Sequence, residues 1–94
     1  SVSVIMQQPG NIIPLHRDMF YMIKNKYDTE GKQIVRANIF LEDWKSGHYL
    51  EFDKDPYTQW KANEGFIISE EVTHLSANAG LENKYTLQIS GFYN

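Results

Sequence analysis

The nine residues Gln33–Leu41, QIVRANIFL, contain the pattern that decides the fold. Every second position is apolar, and these positions are Val35, Ala37, Ile39 and Leu41. The positions between them are Arg36, Asn38 and Phe40. Because successive side chains of a β-strand point to opposite faces of its sheet, this period of two predicts a strand with one apolar face and one largely polar face.

The same alternation recurs in Lys84–Phe92 (KYTLQISGF), so two strands are expected to carry a polar face. Two arrangements satisfy this pattern. In a barrel with a water-filled site, the polar faces line the interior and the apolar faces look outward. An ordinary sandwich has the opposite orientation and is the commoner case. The first arrangement exposes an apolar outer face, which predicts either flanking helices or an interface between copies of the chain.

Short runs rich in Val, Ile, Phe, Tyr and Thr occur throughout the chain, as in all-β sandwiches and barrels. Eight of them are predicted to be strands: Ser1–Gln7, Ile12–Arg17, Gln33–Leu41, His48–Phe52, Tyr57–Lys61, Gly65–Ile68, Thr73–Ala77 and Lys84–Phe92. Turns are expected at Gln8–Asn11, Asp53–Pro56, Asn63–Gly65 and Ala79–Asn83. Only the connection Asp18–Lys32 is long enough to hold a helical turn, but its Tyr, Lys, Asn and Gly content favours a loop or lid.

Composition narrows the classes of function. With 94 residues the chain has room for one domain and a modest core. Its net charge of −3 argues against nucleic acid as a partner, and no stretch is long and apolar enough to cross a bilayer. The absence of cysteine means that any metal must be held by nitrogen and oxygen ligands. We expect a soluble protein, and base rates favour the cytoplasm. The chain opens with Ser1 and goes directly into a strand-like run without the features of a signal peptide, which suggests a domain excerpt or a processed chain.

His16, Asp18 and His74 are the candidate metal ligands. His16 and Asp18 are two residues apart, so on a strand both side chains point to the same face. His74 lies on the seventh run, and closure of the sheet could bring it opposite the first pair. Two imidazoles and one carboxylate form the ligand set that holds one face of an octahedral non-haem Fe(II) ion.

A second pair of residues, ten and twelve positions beyond His74, suggests an anion site. Lys84 and Thr86 share one face of the last strand. An ammonium beside a hydroxyl donor suits the distal end of a buried dicarboxylate, since the first supplies charge and the second supplies direction.

In the order His16-Arg17-Asp18, His74, Lys84, Thr86, the chain resembles the catalytic core of the Fe(II)/2-oxoglutarate-dependent dioxygenases, of the prolyl 4-hydroxylase-like and aspartyl/asparaginyl β-hydroxylase-like kind. The resemblance implies an eight-stranded double-stranded β-helix, a cupin-like jelly roll, over residues 1–94, without the N-terminal helices that usually flank it. It also implies that His16, Asp18 and His74 bind Fe(II), while Lys84 and Thr86 hold the distal carboxylate of 2-oxoglutarate.

The implied reaction uses dioxygen and hydroxylates an unactivated C–H bond of a peptidyl side chain or small molecule, releasing succinate and carbon dioxide. Arg36 and Asn38 are further candidates for contacts to 2-oxoglutarate or substrate, although a solvated strand face explains them equally well. Many members of the family use arginine where this chain has Lys84, which offers a point charge in place of a bidentate fork. A cupin-type metalloprotein and a non-catalytic β-barrel binding module remain as alternatives.

Overall fold

The computed structural model describes residues 2–93, so Ser1 of the first predicted run lies outside the described residues. The described chain folds as eight strands and one helix. In chain order these are β1 (Val2–Gln7), β2 (Ile12–Arg17), α1 (Tyr21–Lys26), β3 (Gln33–Phe40), β4 (His48–Phe52), β5 (Asp55–Tyr57), β6 (Gly65–Ser69), β7 (Thr73–Asn78) and β8 (Lys84–Tyr93). Within residues 2–93, no helix has the length and apolar character needed to cross a membrane.

The strands form two four-stranded antiparallel sheets. The first sheet has the order β1-β8-β3-β6, and the second sheet has the order β2-β7-β4-β5. Strands that are distant in sequence are therefore neighbours in space, as in a jelly roll. The predicted all-β, eight-stranded double-stranded β-helix is confirmed.

The polar faces of β3 and β8 point into the space between the sheets. Arg36 and Asn38 on β3, and Lys84 and Thr86 on β8, all line an internal cavity. The apolar faces of the same strands look outward. Of the two arrangements that the alternation allowed, the structure has the one with the polar interior.

Two apolar clusters lie at opposite ends of β3 and together form the core. One cluster contains Phe20, Ile23 and Ile34. The other is built on Phe40 and Trp60, whose rings stack with centroids 4.0 Å apart. Since Ile34 and Phe40 are six residues apart on an extended strand, about 20 Å of strand separates the clusters. The polar cavity occupies the space between them.

The fifth strand differs from its prediction. Tyr57–Lys61 was expected, whereas β5 ends at Tyr57. Gln59 has a φ of 58°, which interrupts the extended chain. Two consecutive positive φ angles, at Asp53 (47°) and Lys54 (76°), form a tight hairpin turn that places Pro56 on an edge strand.

The connection Asp18–Lys32 was predicted to be a loop or lid, and this is wrong for Tyr21–Lys26, which forms α1. The helix buries Ile23 against Ile34 and places Lys24 in an ion pair of 2.7 Å with Glu70. Its N-cap is Phe20, which has no capping side chain, so the usual sequence signal for a helix start is missing.

Candidate metal centre

Antiparallel pairing of β2 with β7 places His16 directly opposite His74. The register of this pair shifts between Ile13 and His16, so the chain is irregular at Pro14 and Leu15 just before the first histidine. The two imidazole rings have centroids 4.2 Å apart, and both residues line the internal cavity. The two histidines predicted as ligands are therefore neighbours.

Asp18, which follows the end of β2, completes the group. Its Oδ1 lies 3.4 Å from Nε2 of His16 and 3.5 Å from Nε2 of His74. The three ligand atoms all lie within 4.8 Å of one another. Donors bound at right angles about 2.1 Å from an ion are about 3.0 Å apart, so the two separations that involve Asp18 are close to those of a metal site. The assignment of the three residues as ligands stays a prediction.

Backbone carbonyls orient both imidazoles toward the centre. Nδ1 of His16 donates to the carbonyl of Pro14 at 2.7 Å, and Nδ1 of His74 donates to the carbonyl of Val72 at 3.3 Å. Because these bonds place the ring protons on Nδ1, the Nε2 lone pairs face Asp18. Burial lowers the pKa of His74, although the Val72 carbonyl and Asp18 act in the opposite direction. The neutral imidazole that a metal requires is thereby favoured.

Arg36 orients the carboxylate of Asp18. Its Nη1 lies 3.0 Å from Oδ2 of Asp18, and its Nε donates to Oγ of Ser90 at 2.9 Å. The guanidinium also lies over the ring of Phe20, 5.1 Å from the centroid. Oδ2 is buried and makes no hydrogen bond within residues 2–93, so this ion pair is its main stabilising contact. Arg36 leaves Oδ1 facing the two histidines.

Replacing Arg36 with methionine should weaken metal binding by about 10- to 100-fold, the usual effect of removing a group that orients a ligand. Mn(II) titration followed by electron paramagnetic resonance would measure the change. Arg17→Met is a matched control, because Arg17 is exposed and next to His16 in sequence. Equal affinities of wild type and Arg36→Met would show that the ion pair does not orient Asp18 for the metal.

The cavity that contains this group has a volume of about 260 Å³. Pockets for drug-sized ligands have about 300–1,000 Å³, so this cavity suits a smaller molecule. Its walls combine polar groups with apolar side chains from both sheets. The lining residues are Ile5, Gln7, Ile13, His16, Asp18, Arg36, Asn38, Leu50, Phe52, Phe66, Ile68, His74, Ser76, Lys84, Thr86 and Gln88.

Lys84 is a buried cation in the same cavity. Its Nζ lies 3.3 Å from Oγ of Ser76, 3.5 Å from Oε1 of Gln7 and 5.8 Å from the centre of the Trp60 ring. Burial lowers its pKa from 10.5 to about 8, and no carboxylate among residues 2–93 is close enough to offset this effect. A buried ammonium with only neutral partners is costly and would be stabilised by an anion.

The other predicted residues also line the cavity. Thr86 is buried there beside Lys84, as expected for the same strand face. Asn38 accepts a hydrogen bond of 3.2 Å from Nε2 of Gln88. The prediction for Arg36 considered contacts to the co-substrate, whereas the structure places its guanidinium against Asp18.

Three polar residues of the cavity were missed by the sequence analysis: Gln7, Ser76 and Gln88. Ser76 and Gln88 could have been found, since each is two residues from a chosen candidate on the same strand, His74 and Thr86 respectively. Gln7 gives no such signal. Its Oε1 accepts from Oγ of Ser76 at 2.8 Å, a contact that exists only because the two sheets face each other.

No protein-family model matches the chain, and no curated protein matches it. Among solved structures the chain is similar to a cupin protein from Bacteroides fragilis, with a TM-score of 0.62 and 15% identity. The similarity covers 95% of this chain but 62% of that one, so the chain spans less than two thirds of its neighbour's length. At this identity the likeness shows the cupin jelly-roll fold, within which the His16, Asp18 and His74 group could hold a metal.

Proposed function

We propose that the chain is a cupin-fold metalloenzyme whose ion is held by His16, Asp18 and His74, and that it acts as an Fe(II)- and 2-oxoglutarate-dependent dioxygenase. One observation carries the proposal. The cavity that contains the three ligand atoms also contains the ammonium of Lys84, which is buried and has no carboxylate partner among residues 2–93. The site therefore offers a metal position and an anion position to one small ligand.

The spacing of the two positions suits 2-oxoglutarate. Ser76 follows His74 by two residues on β7, which corresponds to about 6.8 Å along the strand. Nζ of Lys84 lies 3.3 Å from the Ser76 hydroxyl. A ligand that reaches from the metal position to Lys84 must therefore be several atoms long and end in an anion. The extended five-carbon chain of 2-oxoglutarate meets this requirement, and oxalate is too short.

The residues of the chain have separable roles in this proposal. Lys84 and Thr86 bind the distal carboxylate of 2-oxoglutarate, and Gln7 and Ser76 position the ammonium. Fe(II), when bound, supplies the oxidative decarboxylation of 2-oxoglutarate by dioxygen and the hydroxylation of a C–H bond. Apolar side chains such as Leu50 and Phe52 form part of the cavity wall.

We assign the primary substrate to a hollow of about 450 Å³ beneath α1. It shares Arg36 with the metal cavity, and its walls include Phe20, Tyr21 and Tyr27. Aromatic walls of this kind contact apolar groups over a large area. A peptidyl side chain or a small apolar molecule fits this description, and both remain predicted substrate classes.

A cupin-type metalloprotein that does not use 2-oxoglutarate is the second candidate. It is supported by the cupin neighbour, whose likeness to this chain involves the fold alone. The third alternative, a non-catalytic β-barrel binding module, needs no metal. The three candidates differ in what they bind, so a binding experiment can separate them without knowledge of the substrate.

Anaerobic titration of the protein with Fe(II) and then with 2-oxoglutarate should produce the weak visible charge-transfer band of the ternary complex. Asp18→Asn should lose the band, because a neutral amide is a poor ligand for a hard cation. Fe(II) binding without the band would favour the second candidate. A folded protein that binds no divalent metal would favour the binding module.

A further inference from the structure

The outer face of the first sheet is the largest feature that the metal site does not explain. We define it as the outward-pointing positions of β1, β8, β3 and β6. None of these positions carries a charged residue, because the charged residues of the four strands, Arg36 and Lys84, both point into the cavity. Four of its most exposed side chains are Val2, Val4, Met6 and Ile67.

The outer face of the second sheet provides an internal comparison. It includes Arg17 on β2, which pairs with Thr73, and Glu51 on β4, which accepts a hydrogen bond from Tyr49. Charge is therefore present on the outside of one sheet and absent from the outside of the other. Large uncharged patches on folded proteins mark interaction surfaces more often than they occur by accident.

We propose that two copies of the chain associate through the outer faces of their first sheets, related by a twofold axis. The size of the face agrees with this assignment. Its strands have 6, 10, 8 and 5 residues. At about 3.4 Å by 4.8 Å of sheet per residue, the face measures about 470 Å². Two such faces in contact bury about 950 Å² in projection, close to the 1,000 Å² at which specific interfaces begin.

The chemistry of the face favours a second copy over a membrane surface. A patch without charge meets its own copy with no like-charge repulsion, and a twofold interface requires this self-complementarity. Membrane-binding surfaces combine apolar groups with Lys and Arg, which this face lacks. Two sheets can also pack closely face to face, at a distance of about 10 Å between the sheets.

Large and small side chains adjoin on this face, so side chains of two copies could interdigitate. Ala37 on β3 lies between Ile67 on β6 and Ile89 on β8. Gly91 on β8 is the next outward position after Ile89, and no atom lies within 4 Å of where its Cβ would be. Ala37 and Gly91 therefore carry the smallest side chains in this part of the face, and Ala37 lies beside Ile67, which is 71% exposed. Ile67 of one copy can pack over Ala37 or Gly91 of the other.

Sedimentation velocity over about 1–500 µM tests the proposal on the 94-residue chain. A chain of 11.0 kDa should give a species of about 22 kDa at high concentration that dissociates on dilution, because interfaces near 1,000 Å² are weak. Ile67→Glu should be monomeric throughout this range. Ile12→Glu is the matched control, since Ile12 is 69% exposed but lies on the second sheet, and this variant should still dimerise.

Far-ultraviolet circular dichroism would show that the variants are folded. Val4→Glu, on the same face, replaces Ile67→Glu if the latter does not fold. The proposal is overturned if the wild-type chain stays monomeric at 500 µM, if it forms species larger than a dimer, or if the variant with glutamate on the first sheet still dimerises. Mn(II) affinity should be unchanged in the monomeric variant, because the metal ligands His16 and His74 lie on the second sheet. The dimer test is therefore independent of the proposed reaction.

Discussion

Replacement of Asp18 by alanine is expected to abolish measurable metal binding, with a loss of affinity greater than about 100-fold. Loss of a group that only orients a ligand already costs about 10- to 100-fold, and removal of the ligand itself must cost more. The geometry explains why Asp18 is the most sensitive position. Its Oδ1 lies 3.4 and 3.5 Å from the two histidine Nε2 atoms, and it is the only carboxylate oxygen of the candidate ligand group that faces them.

Alanine at position 18 also removes the partner of Arg36, so a second variant separates the two effects. Asp18→Asn keeps the shape of the side chain and an oxygen for Arg36, and should also lose metal affinity. Asp55→Ala, at an exposed carboxylate on β5, is the control and should bind metal as the wild type does. Calorimetric titration with Mn(II) would measure all three. Retention of wild-type affinity by Asp18→Ala would mean that the ligand group is wrongly assigned.

Lys84→Met is expected to weaken 2-oxoglutarate binding by about 30- to 5,000-fold. Truncating one partner of a buried charge pair costs about 2–5 kcal/mol, which corresponds to that range. In the folded protein the ammonium faces Ser76, Gln7 and Trp60, none of which can replace a carboxylate as its counter-ion. Competition with the Fe(II) and 2-oxoglutarate charge-transfer band would give the affinity.

The same substitution should stabilise the protein in the absence of ligand. Folding lowers the pKa of Lys84 from 10.5 to about 8, so between these pH values the unfolded chain binds more protons than the folded chain. Stability due to Lys84 therefore rises as the pH increases from about 8 to 10.5, and the full cost of burying the charge is present below pH 8. The shift corresponds to about 3 kcal/mol.

Chemical denaturation of the wild type and Lys84→Met at pH 7 and at pH 10 tests this expectation. The difference in unfolding free energy should be large at pH 7 and smaller at pH 10. Lys61→Met, at an exposed position, should show no such change. Binding of 2-oxoglutarate to the wild type should also weaken above about pH 8, as the ammonium loses its proton. If neither the difference in unfolding free energy nor the affinity for 2-oxoglutarate changed with pH, Lys84 would not be the buried cation that the proposal requires.

The resemblance to a family predicted more of the site than the local pattern did. His16, Asp18, His74, Lys84 and Thr86 were all chosen from sequence, and the structure places all five around one cavity. The identity of the ion and of the co-substrate stays a prediction, because nothing in the fold distinguishes Fe(II) from other metals that bind nitrogen and oxygen ligands. Arg36 was chosen for its position on β3, while its contact with Asp18 could not be foreseen.

The errors of the sequence prediction occur where long-range packing overrides the local pattern. Trp60 was assigned to a strand because it lies in Tyr57–Lys61, one of the runs that contain the residues typical of strands. In the structure its ring stacks on Phe40 in the core, and the neighbouring Gln59 leaves the extended conformation. Similarly, α1 forms because Ile23 packs against Ile34, although its N-cap residue, Phe20, has no capping side chain.

The sequence alone determined most of the features that depend on neighbouring residues. The bounds of every strand except β5 follow to within one residue from alternation and turn residues. The shared face of His16 and Asp18 follows from their spacing, since the period of a strand is local. Only the tertiary structure decided which face of each sheet is buried and which strands pair. The pairing of β2 with β7 brings His16 to His74, and the facing of the two sheets brings Lys84 to Ser76. These contacts join segments far apart in the chain, so they depend on the burial of apolar surface by the whole fold.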